Sequence, residues 1–235
     1  MATITNRPSG AEALVRMLAL HGVDTIFGLC GDTSLPFYDA LFRLGEGRTG
    51  QGMTHVLTRD ERSAAYMADG YARVSGKVGV CEGPSGGGAT YILPGVVEAN
   101  ESSIPILAIT TDVSVGARGR FTLTELDQEA LFRPLAKWNR VIDRAADLPR
   151  TVRAAFAHMT TGRCGAAHLG IPLDVQRDPV DEAELWADGA HGVYPARRVG
   201  PDPRAVEALA ALLAKAERPI FVCGCLLYTS PSPRD

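Results

Sequence analysis

Glu61 opens the most chemically suggestive stretch of the chain. Residues 58–76 read Thr-Arg-Asp-Glu-Arg-Ser-Ala-Ala-Tyr-Met-Ala-Asp-Gly-Tyr-Ala-Arg-Val-Ser-Gly, an Ala-rich helical pattern that starts where a short strand-like run stops. A carboxyl group in the first turn of such a helix faces the carboxyl edge of a sheet. Burial by a docking partner would raise its pKa towards the range of a working acid or base. The competing reading is a plain helix-dipole contact, a contribution of about 0.3–1 kcal/mol at an exposed site. Ala64, Ala65, Ala68 and Gly70 are small enough to let this helix lie close against another surface. Next comes a glycine loop between strand and helix, Ser85, Gly86, Gly87, Gly88 and Ala89, able to present backbone N–H groups to a ligand. It matches neither established phosphate-cradle pattern, so a tight turn with close helix packing is the alternative. Residues 122–130 form a polar loop with Gln128 ahead of a helix, which alone says only that the helix is capped.

These residues need a scaffold, and the hydrophobic pattern supplies one. Helical spacing over residues 10–21 is followed by an apolar run at 25–29 and a second helical pattern at 35–44. The alternation continues, with strands expected at 54–57, 78–81, 106–110, 138–142 and 166–171. Helices are expected at 60–74, 87–98, 125–135 and 148–160. The strand candidates are continuous apolar runs, the pattern of a parallel sheet covered on both faces. The expected fold is therefore a doubly wound α/β domain, with a six-stranded parallel sheet and helices on both faces. Ligands of such folds bind at the carboxyl ends of the strands, where strand order reverses. Residues 1–180 are expected to form this domain and 181–202, charged and turn-rich, a linker. Residues 203–224, with a helix at 203–216 and a strand at 219–223, read as the truncated start of a second α/β domain.

Composition narrows the class further. The 235 residues carry 24 Lys and Arg against 27 Asp and Glu, a formal charge of −3, with no basic run. Nucleic acid and anionic membrane surfaces both call for a concentrated positive field, so neither is an expected partner. No stretch approaches a membrane span, and residues 1–10 lack the apolar segment of a signal peptide. A cytoplasmic location is the expectation. The five cysteines, Cys30, Cys81, Cys164, Cys223 and Cys225, are odd in number and mostly in apolar context, as suits reduced thiols.

Taken in order, the segments resemble the N-terminal, pyrimidine-binding domain of the thiamine-diphosphate enzyme superfamily, in its acetolactate synthase-like branch. The matching pieces are residues 22–28 with 35–41, Glu61 with 68–76, then 84–90, 104–110, 127–129, 137–139, and 161–166 with 171–176. The likeness covers residues 8 to about 176. It implies that Glu61 hydrogen-bonds N1′ of the cofactor's aminopyrimidine, favouring the imino tautomer whose nitrogen removes the thiazolium C2 proton. It places Gln128 near the reacting substrate carbons, Ser85, Gly86 and Gly87 beside the pyrimidine, and Arg163 at the position of an arginine that holds FAD in flavin-containing members. The implied activity is that of a transferase or lyase. It decarboxylates a 2-oxo acid such as pyruvate and passes the two-carbon unit to a second 2-oxo acid, as in branched-chain amino-acid biosynthesis. The implied cofactors are thiamine diphosphate, Mg²⁺ held by a C-terminal domain not found in this chain, and FAD. The implied assembly is a homodimer or homotetramer whose sites form between subunits, so the chain alone is expected to be inactive.

Several positions depart from the family pattern. Asp60 stands where His usually precedes the glutamate, Gly87 and Tyr91 replace a proline and an asparagine, Asp127 replaces a phenylalanine, and Cys30 a proline. These changes touch substrate-facing loops, and they bring another 2-oxo acid decarboxylase or carboligase of the superfamily close behind acetolactate synthase itself. A non-catalytic nucleotide-binding α/β module is the reading from a different class. The last eleven residues, Cys225 to Asp235, resemble the conceptual translation of a transposase-type sequencing adapter, so native sequence is expected to stop at about Gly224.

Overall fold

The computed structural model describes residues 7–45, 52–198 and 200–222. Its first helix, α1 (Gly10–Leu20), is set by a capping box in which the Ser9 hydroxyl accepts from Glu12 N and the Glu12 carboxylate accepts from Ser9 N. The chain then alternates: β1 (Thr25–Gly28), α2 (Leu35–Gly45), β2 (Thr54–Leu57), α3 (Glu61–Ser75), β3 (Gly79–Gly83), α4 (Gly87–Tyr91) and α5 (Leu93–Glu101). There follow β4 (Ile106–Asp112), α6 (Gln128–Phe132), β5 (Trp138–Val141), α7 (Leu148–Thr160), β6 (Ala167–Pro172), α8 (Leu173–Arg177) and α9 (Pro203–Leu213). The six strands form one sheet in the order β2-β1-β3-β4-β6-β5, every pair parallel.

Strand periodicity divides the core into two layers. Val80, Leu107, Ile109 and Leu169 point towards α1, α2 and α7, where they pack with Leu14, Phe37 and Phe156. Cys81, Ile106 and Ala108 point the other way, into a layer built with Ala64, Ala68, Val96 and Phe132. α2 thus crosses one face and α3 and α5 the other, and the crossovers change sides between β1 and β3. Loops after these two strands diverge and leave a crevice at the carboxyl edge.

α3 lies deep in its layer because its partners are small. A Cβ at Gly79 would stand 2.1 Å from Ala68 O, and one at Gly95 would stand 2.5 Å from Ala65 Cβ. Gly70, expected to share in this close approach, faces open space, so the closeness comes from Ala68 meeting Gly79 of β3 and Ala65 meeting Gly95 of α5.

Three expected elements differ. The helix expected over 87–98 is two helices meeting at Ile92, since Pro94 cannot donate a hydrogen bond to the preceding turn. The helix expected over 125–135 is only α6, capped by Asp127 accepting from Ala130 N and stopped ahead of Pro134. The strand expected at 219–223 is absent over its described residues. No strand lies beside them, and Ile220 and Val222 are 90% and 94% exposed. Cys223, Cys225 and the adapter-like tail fall outside the described residues.

Residues 178–194, spanning the expected linker's first half, adhere to the domain. Pro179 bridges to Ser9, Val180 is buried, Arg153 lies 4.0 Å over the Trp186 ring, Val193 bridges to Lys77, and the Tyr194 hydroxyl donates to Ala72 O. Among the described residues no helix is long and apolar enough to cross a membrane. Cys30, Cys81 and Cys164 are free thiols.

Candidate functional site at the carboxyl edge

Glu61 is the first residue of α3, placed there by Asp60, whose carboxylate accepts from Arg62 N and caps the helix. It is only 8% exposed, yet no described residue hydrogen-bonds its carboxylate. Beside it the strand and loop are stripped of side chains. A Cβ at Gly88 would sit 3.2 Å from Glu61 Oε1 and 2.4 Å from Pro84 Cδ, and one at Gly83 would sit 3.5 Å from Glu61 Cγ. Gly86 holds a left-handed φ of 66°, which opens the turn into α4. Gly87 faces open space. Among the described residues this nearly buried acid has no hydrogen-bond partner, and Gly83 and Gly88 put bare backbone beside it.

The Ser85 hydroxyl belongs to a chain of hydroxyls across the carboxyl ends of β1, β3 and β4. Thr33 donates to Ser85 Oγ at 3.1 Å and accepts from Ser85 N at 3.1 Å, while Thr33 and Thr111 lie 2.7 Å apart and Ser85 and Thr124 2.7 Å apart. With one proton per hydroxyl, the chain can run Thr111 to Thr33 to Ser85 to Thr124. It borders a cleft of about 570 Å³ that also touches Asp32, Ser114 and Leu123. Thr33 was not legible as a site residue, because nothing in its local sequence distinguishes it from an ordinary loop threonine.

Gln128 lies on the same edge, but its amide is turned inward and is 1% exposed. Its Nε2 donates to Thr111 O at 2.8 Å and its Oε1 accepts from the Thr110 hydroxyl. Thr110 Oγ1 is also 2.6 Å from His168 Nε2, so that nitrogen carries the hydrogen and donates. Burial pushes His168 down to about 3, so it is neutral, stacked on Phe132 with ring centroids 3.6 Å apart. Gln128 therefore forms the floor of a recess of about 250 Å³ whose wall carries Asp112, Glu125, Asp127, Glu129 and Asp143 against one cation, Arg118.

Two of the unusual positions turn out to be one unit. Arg62 donates to both oxygens of Asp60, at 2.9 and 2.6 Å, and its guanidinium lies 5.7 Å from the Tyr91 ring centroid. The paired charge holds the Asp60 carboxyl down to about 2. Helical spacing does not bring positions two apart together. Asp60 escapes that limit because it is the cap, outside the helix, so the pairing was not readable from the sequence.

Arg163 is elsewhere. It precedes β6, at the amino edge, where it donates to Ser103 Oγ at 2.9 Å and to Glu101 O at 3.1 Å. There it closes the C-terminal turn of α5. Among the described residues no group of three His, Cys, Asp or Glu side chains could hold a metal ion.

A doubly wound parallel domain with an unpartnered acid and a glycine loop at its switch point is a ligand-binding α/β domain. Residues 8–131 match the family described as thiamine pyrophosphate enzyme, N-terminal TPP binding domain, and the chain belongs to that family. It is 39% identical over 221 residues to a probable acetolactate synthase large subunit of Methanocaldococcus jannaschii, covering 92% of this chain and 35% of that protein. It is 36% identical to an acetolactate synthase of Arthrospira platensis, over 93% of this chain and 37% of the relative. It is also 39% identical to a probable 2-ketoarginine decarboxylase of Pseudomonas aeruginosa, over 92% of this chain and 37% of the relative. The chain thus spans about a third of the length of these curated relatives.

Proposed function

We propose that this chain supplies the pyrimidine side of the active site of a thiamine-diphosphate-dependent enzyme of acetolactate synthase type. The observation that carries the reading is Glu61: a carboxylate 8% exposed, without a hydrogen bond from any described residue, beside Gly83 and Gly88. Glu61 would hold the aminopyrimidine of thiamine diphosphate, with Ser85, Gly86 and Gly87 along its edge. The bound cofactor supplies an electron sink for carbanion chemistry on a 2-oxo acid. Glu61 holds and returns a proton at a carboxylate oxygen facing the ring. The Gly83 and Gly88 backbone leaves room for a flat group at that oxygen, and the Thr33–Ser85 hydroxyls fix the loop that carries it. Gln128, with both amide ends engaged inside, acts as a positioning residue that supports the recess wall.

On this reading the whole protein decarboxylates pyruvate or a related 2-oxo acid and transfers the two-carbon unit, a transferase or lyase reaction. Mg²⁺ would be held by residues outside this chain, and the sites would be completed between subunits of a homodimer or homotetramer, leaving the chain alone inactive. Arg163 gives FAD little support, since its Nε and Nη2 are committed to Ser103 and the end of α5. A second reading is favoured by the acidic wall beside Gln128. Five carboxylates against Arg118 complement a cationic side chain, as on the substrate named for the Pseudomonas relative.

One experiment tests both. The full-length protein is assayed with thiamine diphosphate, Mg²⁺ and either pyruvate or a 2-oxo acid bearing a guanidinium group, wild type against Glu61→Gln. Glu61→Gln is expected to lower turnover by ~10² or more, the scale of a positioned acid or base. Unchanged turnover would sink the enzyme reading, and preference for the cationic substrate would select the second.

A further inference from the structure

β3 carries another carboxyl group, which the chemistry above does not use. Glu82 is 0% exposed and pairs with Gly28 of β1, at the point where the crossovers change sides. Its side chain points with Val80 towards the α2 layer, the face opposite Glu61. The Tyr38 hydroxyl donates to Glu82 Oε2 at 2.6 Å, and Oε1 has no hydrogen-bond partner. Gly28 makes the space: a Cβ there would stand 2.6 Å from Tyr38 Oη and 3.0 Å from Glu82 Oε2.

The groups facing Glu82 can be named element by element. α2 presents Tyr38, the turn Asp32–Ser34 presents Ser34, and the loop after β1 presents the Cys30 thiol. α3 contributes the Glu61 charge, and β2 contributes His55, edge-on to the Tyr38 ring at 4.8 Å. Its strand neighbours Gly28 and Ile109 do not ionise. No cation is among these groups. Burial accordingly pushes the Glu82 carboxyl up to about 8, with the Glu61 charge acting in the same direction and Tyr38 and Ser34 against it.

We propose that Glu82 is a positioning residue of this site: its carboxyl accepts from Tyr38 in a buried clasp that fixes the start of α2 and, through Thr33 in the turn just before that helix, the Ser85 end of the glycine loop. The connection is continuous. Tyr38 lies in the first turn of α2, the Asp32–Ser34 turn runs directly into that helix, and Thr33 of the turn both donates to and accepts from Ser85. As a neutral acid Glu82 braces this loop without adding charge near Glu61. Ionised, it would place a negative charge across the sheet from Glu61, within reach of its field.

The claim about the effect on turnover rests on the thiamine-diphosphate reading, and the claim about protonation does not. The folded state keeps the Glu82 proton to about pH 8, whereas an ordinary glutamate releases it near 4.5. Between these values the folded state binds more protons, so the contribution of Glu82 to stability falls as pH rises through the window and levels off above about 8. Denaturant unfolding of this chain is measured across that window for wild type and Glu82→Gln, whose amide is a neutral mimic. The expected result is that wild type loses stability relative to Glu82→Gln up to about pH 8 and then runs parallel to it. A pH-independent difference would show Glu82 ionised throughout and overturn the proposal. Infrared titration of the protonated carboxyl band keeps the question open to test if Glu82→Gln does not fold. Tyr38→Phe removes the donor that favours the charged form, so its midpoint is expected to move up; a midpoint unmoved or lowered overturns the clasp. In the full-length enzyme Glu82→Ala is expected to raise KM for thiamine diphosphate about tenfold or more, as loss of positioning does, and Glu82→Gln to restore it near neutral pH. An unchanged KM would overturn the positioning role even with the titration as expected, whereas the thiamine-diphosphate reading falls only with unchanged turnover in Glu61→Gln.

Discussion

At the carboxyl edge, Glu61 and Gln128 are both buried, yet only Glu61 has polar atoms that no described residue hydrogen-bonds. Gln128 gives its amide to Thr110 and Thr111, and removing it would take both buried hydrogen bonds away. Gln128→Ala is expected to destabilise the chain by ~1–3 kcal/mol in denaturant unfolding, the cost of an orphaned buried group. A shift within the scatter of surface substitutions would show that water replaces the amide. Position alone, a carboxylate in the first turn after a strand, left Glu61 open to a plain helix-dipole reading, and the resemblance over residues 8 to about 176 singled it out. The inward turn of Gln128 was not, since residue type does not encode side-chain direction. Glu82 was missed for a different reason. The apolar run reads as ending at Cys81, which puts Glu82 in a loop, whereas β3 continues to Gly83 and buries it. A carboxylate inside a doubly covered strand violates the apolar pattern that locates such strands.

The elements themselves were more readable than their ends. Periodicity placed the six strands and the long helices α1, α2, α3 and α7 within a few residues, because each repeats an apolar face over two turns or more. It failed where a proline interrupts, at Pro94 and Pro134, and where an apolar run has no neighbour to pair with, at 220–222. The partners of α3 were likewise out of reach, because a small residue shows its purpose only against the surface it meets. Gly79 is the clearest case, with Ala68 O 2.1 Å from where its Cβ would be. Gly79→Ala must push α3 away from β3 and is expected to cost ~1–3 kcal/mol or more, the usual penalty of overpacking. Because Glu61 begins that helix, the variant should also blunt cofactor binding in the full-length protein. Wild-type stability in Gly79→Ala would mean that the layer yields without cost.

Over the whole molecule, strand order and the two-sided core follow from alternating short connections, which constrain parallel strands to right-handed crossovers. The path of residues 178–194 does not follow from any local rule. Charged and turn-rich, this stretch resembles a free linker, and its attachment depends on Arg153, Tyr194 and the two short bridges. Trp186→Ala removes the ring under Arg153 and is expected to speed amide hydrogen exchange across 182–192 while leaving β3 and β4 protected. Equal exchange in both proteins would assign the attachment to the bridges together with Tyr194, Arg16–Glu182 and Thr160–His191. The same path governs the order of events during synthesis. Pro8 and Gly10 bond to Val180 and Asp178, so the first helix of the chain is sealed by residues made about 170 positions later. At roughly 5–20 residues per second, α1 waits on the order of ten to thirty seconds on the ribosome before α8 and residues 178–180 exist to close it.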